Sequence, residues 1–216
     1  MKTVCLVGLL GLILLCSCED SLNKQRSEIR LSFFGFSQAF YARKGEEALP
    51  FVSRRTFDYY DRLLPDLLFA DEKRLNELPP FALFACLALR YEYRLEELKT
   101  MTGRMIVREA FNSMTFPGGA PHFLDIGEIL IRKSGEEATA TVFLAPGKKH
   151  DGALVSFIRE DGMWKVDLTS VFEGLSSQLE AYLKDPTASR AERALHYLQV
   201  HENRQIGGEI LQPMGR

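Results

Sequence analysis

Val155-Ser156-Phe157-Ile158-Arg159-Glu160-Asp161-Gly162-Met163-Trp164-Lys165-Val166-Asp167-Leu168 is the stretch that decides the fold class. Two six-residue runs flank Asp161-Gly162, a dipeptide suited to a type I′ turn because both of its central residues need positive φ. A two-residue turn there pairs Arg159 with Trp164, Phe157 with Val166 and Val155 with Leu168, which gathers one apolar face. Ser156, Glu160, Lys165 and Asp167 fall on the opposite face, with Ile158 and Met163 as exceptions. One side of the hairpin is therefore expected to be core and the other largely wet. Arg159 facing Trp164 also suits a cation–π contact, a structural feature.

Upstream, Ile129 to Lys133 and Glu136 to Val142 alternate around Ser134-Gly135. A turn there sets Lys133 opposite Glu136 and Arg132 opposite Glu137, and facing opposite charges favour that register. Before the loop Phe116-Pro117-Gly118-Gly119-Ala120-Pro121 the apolar period is helical. Phe33, Phe36, Phe40 and Arg43 share a stripe, with Phe34 and Tyr41 beside it and Gly45 closing the helix. Ser53 is placed to cap a helix carrying Phe57, Tyr60, Leu64, Leu67 and Leu68, which Pro65 is expected to bend or break. Pro80 opens a helix over Phe81 to Arg90. A further helix is predicted from about Tyr93 to Met114, with Gly103 as its weak point.

Downstream, Ser170 with Glu173 and Ser189 with Glu192 read as capping boxes for two helices. The first carries Phe172, Leu175, Leu179, Tyr182 and Leu183 and stops at Asp185-Pro186. The second carries Ala191, Leu195 and Leu198, and Gly207-Gly208 ends the regular part. The class is thus α+β: N-terminal helices packed on a curved antiparallel meander sheet, with two C-terminal helices.

Helices followed by a meander that ends in Trp164-Lys165-Val166 resemble the nuclear transport factor two-like superfamily. In that superfamily helices pack into the concave side of a curved sheet and form a cone. The resemblance spans roughly Leu31 to Leu168 and is carried mainly by the last hairpin. It implies a cone interior for a ligand or, in relatives that are enzymes, for an Asp–His pair that transfers protons. The helical part here is longer than the family's usual set. Two helices also follow the last strand, where they are placed to cover the cone mouth.

The chain opens Met1-Lys2-Thr3 and runs uncharged from Val4 to Leu15. A basic start and a short apolar run form a secretory signal. Twelve residues make about 18 Å of helix, short of the ~30 Å hydrocarbon core, so a permanent span is not expected. Leu15-Cys16-Ser17-Cys18 resembles a lipobox, with Cys16 at its second position a departure. That resemblance implies a diacylglycerol thioether on Cys18, palmitate-type acylation and a lipoprotein of the bacterial cell envelope. The ordinary alternative is cleavage near Ser17 and a free product. Glu19 after Cys18, where the inner-membrane retention signal has Asp, points to the outer membrane facing the periplasm. The expected divisions are 1–17 signal peptide, 18–27 polar tether, 28–184 cone domain and 185–216 C-terminal extension.

Of Cys5, Cys16, Cys18 and Cys86, only Cys86 remains as a thiol after such processing, within Phe84-Ala85-Cys86-Leu87-Ala88-Leu89. It reads as a small buried hydrophobe. Apolar residues at 46% and aromatics at 11% are ample for a core without disulfides. A formal charge of −2, with no clustered basic face, excludes a nucleic-acid footprint.

Chemistry is sparse. His122, His150, His196 and His201 show no metal-ligand spacing; the last two are five apart, about 140° around a helix. No cofactor motif is present. His122 and Asp125 form the most suggestive polar pair, although three residues apart on an extended chain they point to opposite sides. Tyr59-Tyr60 and Tyr91-Glu92-Tyr93 are pocket candidates, with helix core as the plainer reading. The sequence thus points to a membrane-anchored binding or scaffold domain. Its partners would be a membrane through the lipid on Cys18, and an envelope protein or a small apolar ligand. The alternative is an isomerase or dehydratase with an acid–base residue in the cone.

Overall fold

The computed structural model describes residues 4–113, 125–145, 148–184, 187–201 and 205–214; for 4–20, 143–145, 148–153 and 201 only the backbone is described. The order is α1 (Val4–Tyr41), α2 (Gly45–Ala48), a 3-10 turn (Leu49–Phe51), α3 (Arg54–Phe69), α4 (Glu72–Glu77), α5 (Pro80–Glu92), α6 (Leu95–Leu98) and α7 (Gly103–Ser113). Strands β1 (Asp125–Ile131), β2 (Glu137–Ala145), β3 (Lys148–Glu160) and β4 (Met163–Asp167) follow. Helices α8 (Thr169–Leu183) and α9 (Arg190–His201) and a 3-10 turn (Gly208–Leu211) complete the chain. The four strands form one antiparallel meander in the order β1-β2-β3-β4. The α+β class and the sequence of layers are as expected.

The last hairpin has the predicted register: Phe157 pairs with Val166 and Arg159 with Trp164. Asp161 (φ 52°) and Gly162 (φ 78°) both sit in the left-handed region, as a type I′ turn requires. The first hairpin also has the predicted register, since Ile131 pairs with Ala138 and the Arg132 N–H donates to the Glu137 carbonyl at 2.8 Å. Lys133 to Glu136 form the loop, with Gly135 at φ 73°, and Arg132 reaches the Glu137 carboxylate at 3.5 Å. The outer face is drier than alternation alone predicts, because Ile158 and Asp167 are buried. The start of α3 lies over Asp167, whose carboxylate accepts from Ser53 Oγ at 3.3 Å and from Thr169 Oγ1 at 2.8 Å.

Ser53 caps α3 as expected, accepting from the Thr56 N–H. It is fully buried, so its hydroxyl also serves the Asp167 cluster. Ser53→Ala is expected to cost about 1–2 kcal/mol, read as a lower urea midpoint at unchanged slope. A loss below about 0.3 kcal/mol contradicts the cap.

Elsewhere helix ends differ from the sequence reading. Arg43, at φ 56°, ends α1, and Gly45 instead opens α2. Pro65 does not end α3; it lies on the exposed face, where water can take over the carbonyl that its missing N–H leaves free. The predicted helix from Tyr93 to Met114 is divided into α6 and α7, and Gly103 begins the second. A Cβ at Gly103 would collide with the Phe57 carbonyl oxygen, so α7 can lie this close to α3 only with glycine there. Ser170 is not the cap of α8: the Thr169 N–H bonds the Asp167 carboxylate, and Ser170 Oγ accepts from the Ser156 N–H. The second capping box is present, with Ser189 and Glu192 bonded reciprocally. The polar residues 19–27, read as a tether, are part of α1.

α1 organises the sheet. Arg30 and Ser32 lie about 200° apart around the helix, on opposite flanks. Arg30 donates to the carbonyls of Ile126 and Gly127 at 2.6 and 2.7 Å, at a bulge in β1. Ser32 donates to the Trp164 carbonyl of β4 at 2.5 Å. Both edge strands are thereby tied to one helix, and the edge of β4 is met by Val52 and Ser53, whose N–H donates to the Val166 carbonyl at 2.9 Å. Ile29, Phe33, Phe36 and Phe40 point inward and are buried. Ala191, Ala194, Leu198, Ile210 and Leu211 of the C-terminal segments pack into the same core as α5.

Candidate functional site

Aromatic rings fill the space between α1, α7 and the sheet. Phe36 lies 5.6 Å from Phe40 and 5.8 Å from Phe111, and Phe33 lies 6.2 Å from Phe157. The gap left among Phe36, Phe40, Phe111, Leu168, Phe172 and their neighbours is about 10 Å³. A cavity needs about 10–15 Å³ of such space to hold one water, so the gap among these described residues has no room for a substrate. Asp125 opens β1 on the exposed side, and its carboxylate accepts from the Ile126 N–H at 2.7 Å. It is therefore on the surface and not in an apolar pocket. His122 and the loop Phe116 to Pro121 lie outside the described residues.

A second opening lies between α5 and α7. Tyr60 forms its floor, Ala85, Ala88, Leu89, Ile106 and Ala110 its walls, and Glu92, Tyr93 and Ser113 the remaining lining. Its volume is about 60 Å³, whereas sites for drug-sized ligands enclose roughly 300–1,000 Å³. Burial raises the Tyr60 phenol above the usual tyrosine range, with Tyr59 and Cys86 beside it adding to the effect. Desolvation likewise raises Tyr93, helped by Glu109. These phenols stay protonated at neutral pH. Cys86 is fully buried, and burial pushes its thiol up to about 12. That position and that proton fit the small-hydrophobe reading.

A third opening, about 140 Å³, runs along α8 and α9 and is lined by Tyr182, Arg193, His196, Tyr197 and Val200. Tyr182, expected in the core stripe of α8, is half exposed here, with its ring 4.8 Å from that of Tyr197. Among the described residues no three His, Cys, Asp or Glu side chains gather to hold a metal ion. The described cation–π contact is Arg104 over Phe57 at 5.4 Å.

Sequence reasoning missed one residue altogether. Arg90 was placed only as the end of an apolar helix, yet it is 4% exposed. Its guanidinium donates to the carbonyls of Leu67 and Ile210 at 2.8 Å, of Asp66 at 3.0 Å, of Ala70 at 2.7 Å and of Gln212 at 3.1 Å. Three of those carbonyls belong to the C-terminal end of α3, where the helix dipole favours a cation. Burial lowers the pKa of the guanidinium, against the opposing pull of Cys86 and Asp66. Arg90 thus joins α3, α5 and the C-terminal turn, a structural role whose only sequence signal is a lone charge closing an apolar run.

Cys18 lies in the backbone course of α1, eleven residues before fully buried Ile29. Among the described residues no helix is long and apolar enough to cross a membrane. No known protein family, curated protein or solved structure matches this chain.

Proposed function

We propose that this chain is the precursor of a lipid-anchored envelope lipoprotein, joined to the bilayer through Cys18, whose domain acts by binding at its surface. The observation that carries the binding reading is the filled cone. Where an acid–base residue and its substrate would have to sit, Phe33, Phe36, Phe40, Phe111 and Phe157 pack together. The placement of α1 in the concave side of a meander supports a nuclear transport factor two-like arrangement. The isomerase or dehydratase alternative needs a hollow version of that cone. Exposed apolar side chains, among them Leu31 (71%) and Phe34 (61%) on the outer face of α1, suit a protein partner better than a small ligand. An outer-membrane location facing the periplasm follows from Glu19 after the anchor.

Radiolabelled palmitate tests the anchor. The label is expected in the wild-type protein and absent from Cys18→Ala. Label persisting in Cys18→Ala contradicts the assignment.

A further inference from the structure

We propose that the two hairpin tips of the sheet, Arg132 to Glu136 and Asp161 to Met163, form the face of the domain that rests on the lipid headgroups. The inference depends on Cys18 being the anchor.

The direction of each strand relative to α1 follows from named contacts. Ser32 of α1 bonds the Trp164 carbonyl, and Leu168, just beyond β4, lies beside Phe36 and Phe40 one to two turns further along the helix. β4 therefore runs parallel to α1. Each neighbouring pair in the sheet is antiparallel, so β1 runs opposite to α1. The turn that leaves β1 and the turn that enters β4 both lie at the N-terminal end of α1, the end that carries Cys18.

The heights agree. β1 passes Arg30 at Ile126 and Gly127 and continues to Ile131. At about 3.3 Å per residue it descends roughly 13–16 Å from that level, less when tilted. α1 descends about 18 Å from Arg30 to Cys18. The first tip thus ends within about two helical turns of the anchor. Half-buried Gln25 is seven residues from Cys18, or about 10 Å of helix, which leaves little slack for the body to turn over.

The surface suits a headgroup layer. Leu130 is 59% exposed and Met163 55%, beside the basic Arg132 and Lys133. Apolar side chains with basic neighbours are the composition of interfacial segments. Glu136, Glu137, Glu160 and Asp161 balance Arg132, Lys133, Arg159 and Lys165, so the contact is not expected to need anionic lipid.

The test uses the full, cell-processed protein in phosphatidylcholine vesicles. Ser134→Cys carries a nitroxide at the first tip, and Lys44→Cys carries one just past the far end of α1; Cys86 is buried and does not compete. A nickel relaxation agent fixed to the headgroups is expected to broaden the Ser134 label several-fold more than the Lys44 label. Lys133→Cys should repeat the result should Ser134→Cys disturb the loop. Equal or reversed broadening in protein that floats with the vesicles overturns the orientation alone. Protein that neither floats nor carries lipid overturns the anchor, and the orientation with it.

Discussion

Replacing Arg90 by alanine is expected to lower the stability of this domain by about 3 kcal/mol, the scale of a broken buried hydrogen-bond network. The guanidinium is the shared donor for five backbone carbonyls, three at the end of α3 and two in the C-terminal turn. Without it those acceptors stay buried with one partner fewer, and each such loss costs about 1–3 kcal/mol before water enters. Arg90→Lys should recover only part of the loss, since an ammonium is a compact donor that cannot reach both segments at once. Because Ile210 and Leu211 depend on this contact to stay in the core, the C-terminal turn should also gain exchangeable amides in Arg90→Ala. Urea unfolding with hydrogen exchange reads both effects. A loss below about 1 kcal/mol, or unchanged exchange at residues 206–212, contradicts the role assigned to Arg90.

Phe36→Ala is the second large effect, expected at about 3–5 kcal/mol. Phe36 is 2% exposed and touches the rings of Phe33, Phe40 and Phe111 at 6.3, 5.6 and 5.8 Å. Its removal takes away the transfer energy of the ring and leaves a void that α1 cannot close. Both edge strands hold that helix in place through Arg30 and Ser32. Each lost aromatic pair adds about 0.5–1.5 kcal/mol. Phe34→Ala is the matched control: its ring is 61% exposed on the opposite side of the same helix, and its loss should stay within about 0.5 kcal/mol. Equal effects at the two positions contradict the inward stripe, and with it the filled aromatic interior.

The contrast between Phe36 and Phe34 also shows what can be read from the residues alone. Periodicity placed Phe33, Phe36 and Phe40 on one face, and Asp161-Gly162 fixed the register of the last hairpin, because both signals are local. Contacts that join distant segments carry no such signal. Arg90 meets Ile210 and Gln212 across 120 and 122 residues of chain. Asp61 accepts from the Gly103 N–H at 2.6 Å, which sets the start of α7 against the middle of α3. Neither pairing leaves a mark on spacing or composition.

Residues 19–27 misled in a different way. Their polarity marks a segment with little to bury, but Glu, Lys, Gln and Arg propagate a helix well once a packed turn has nucleated it. Buried Ile29 and Phe33 supply that nucleus, so α1 continues through the polar stretch. The candidate site was the least legible part. Whether the space under the sheet is hollow depends on which rings fill it from elements far apart in sequence, here Phe36 against Phe111 and Phe33 against Phe157.

Intact-mass spectrometry of the protein extracted from native membranes decides whether Cys18 carries the anchor. The account predicts a chain that begins at residue 18 and carries the added mass of a thioether-linked diacylglycerol. A mature chain starting elsewhere, or one whose first cysteine is unmodified, contradicts it.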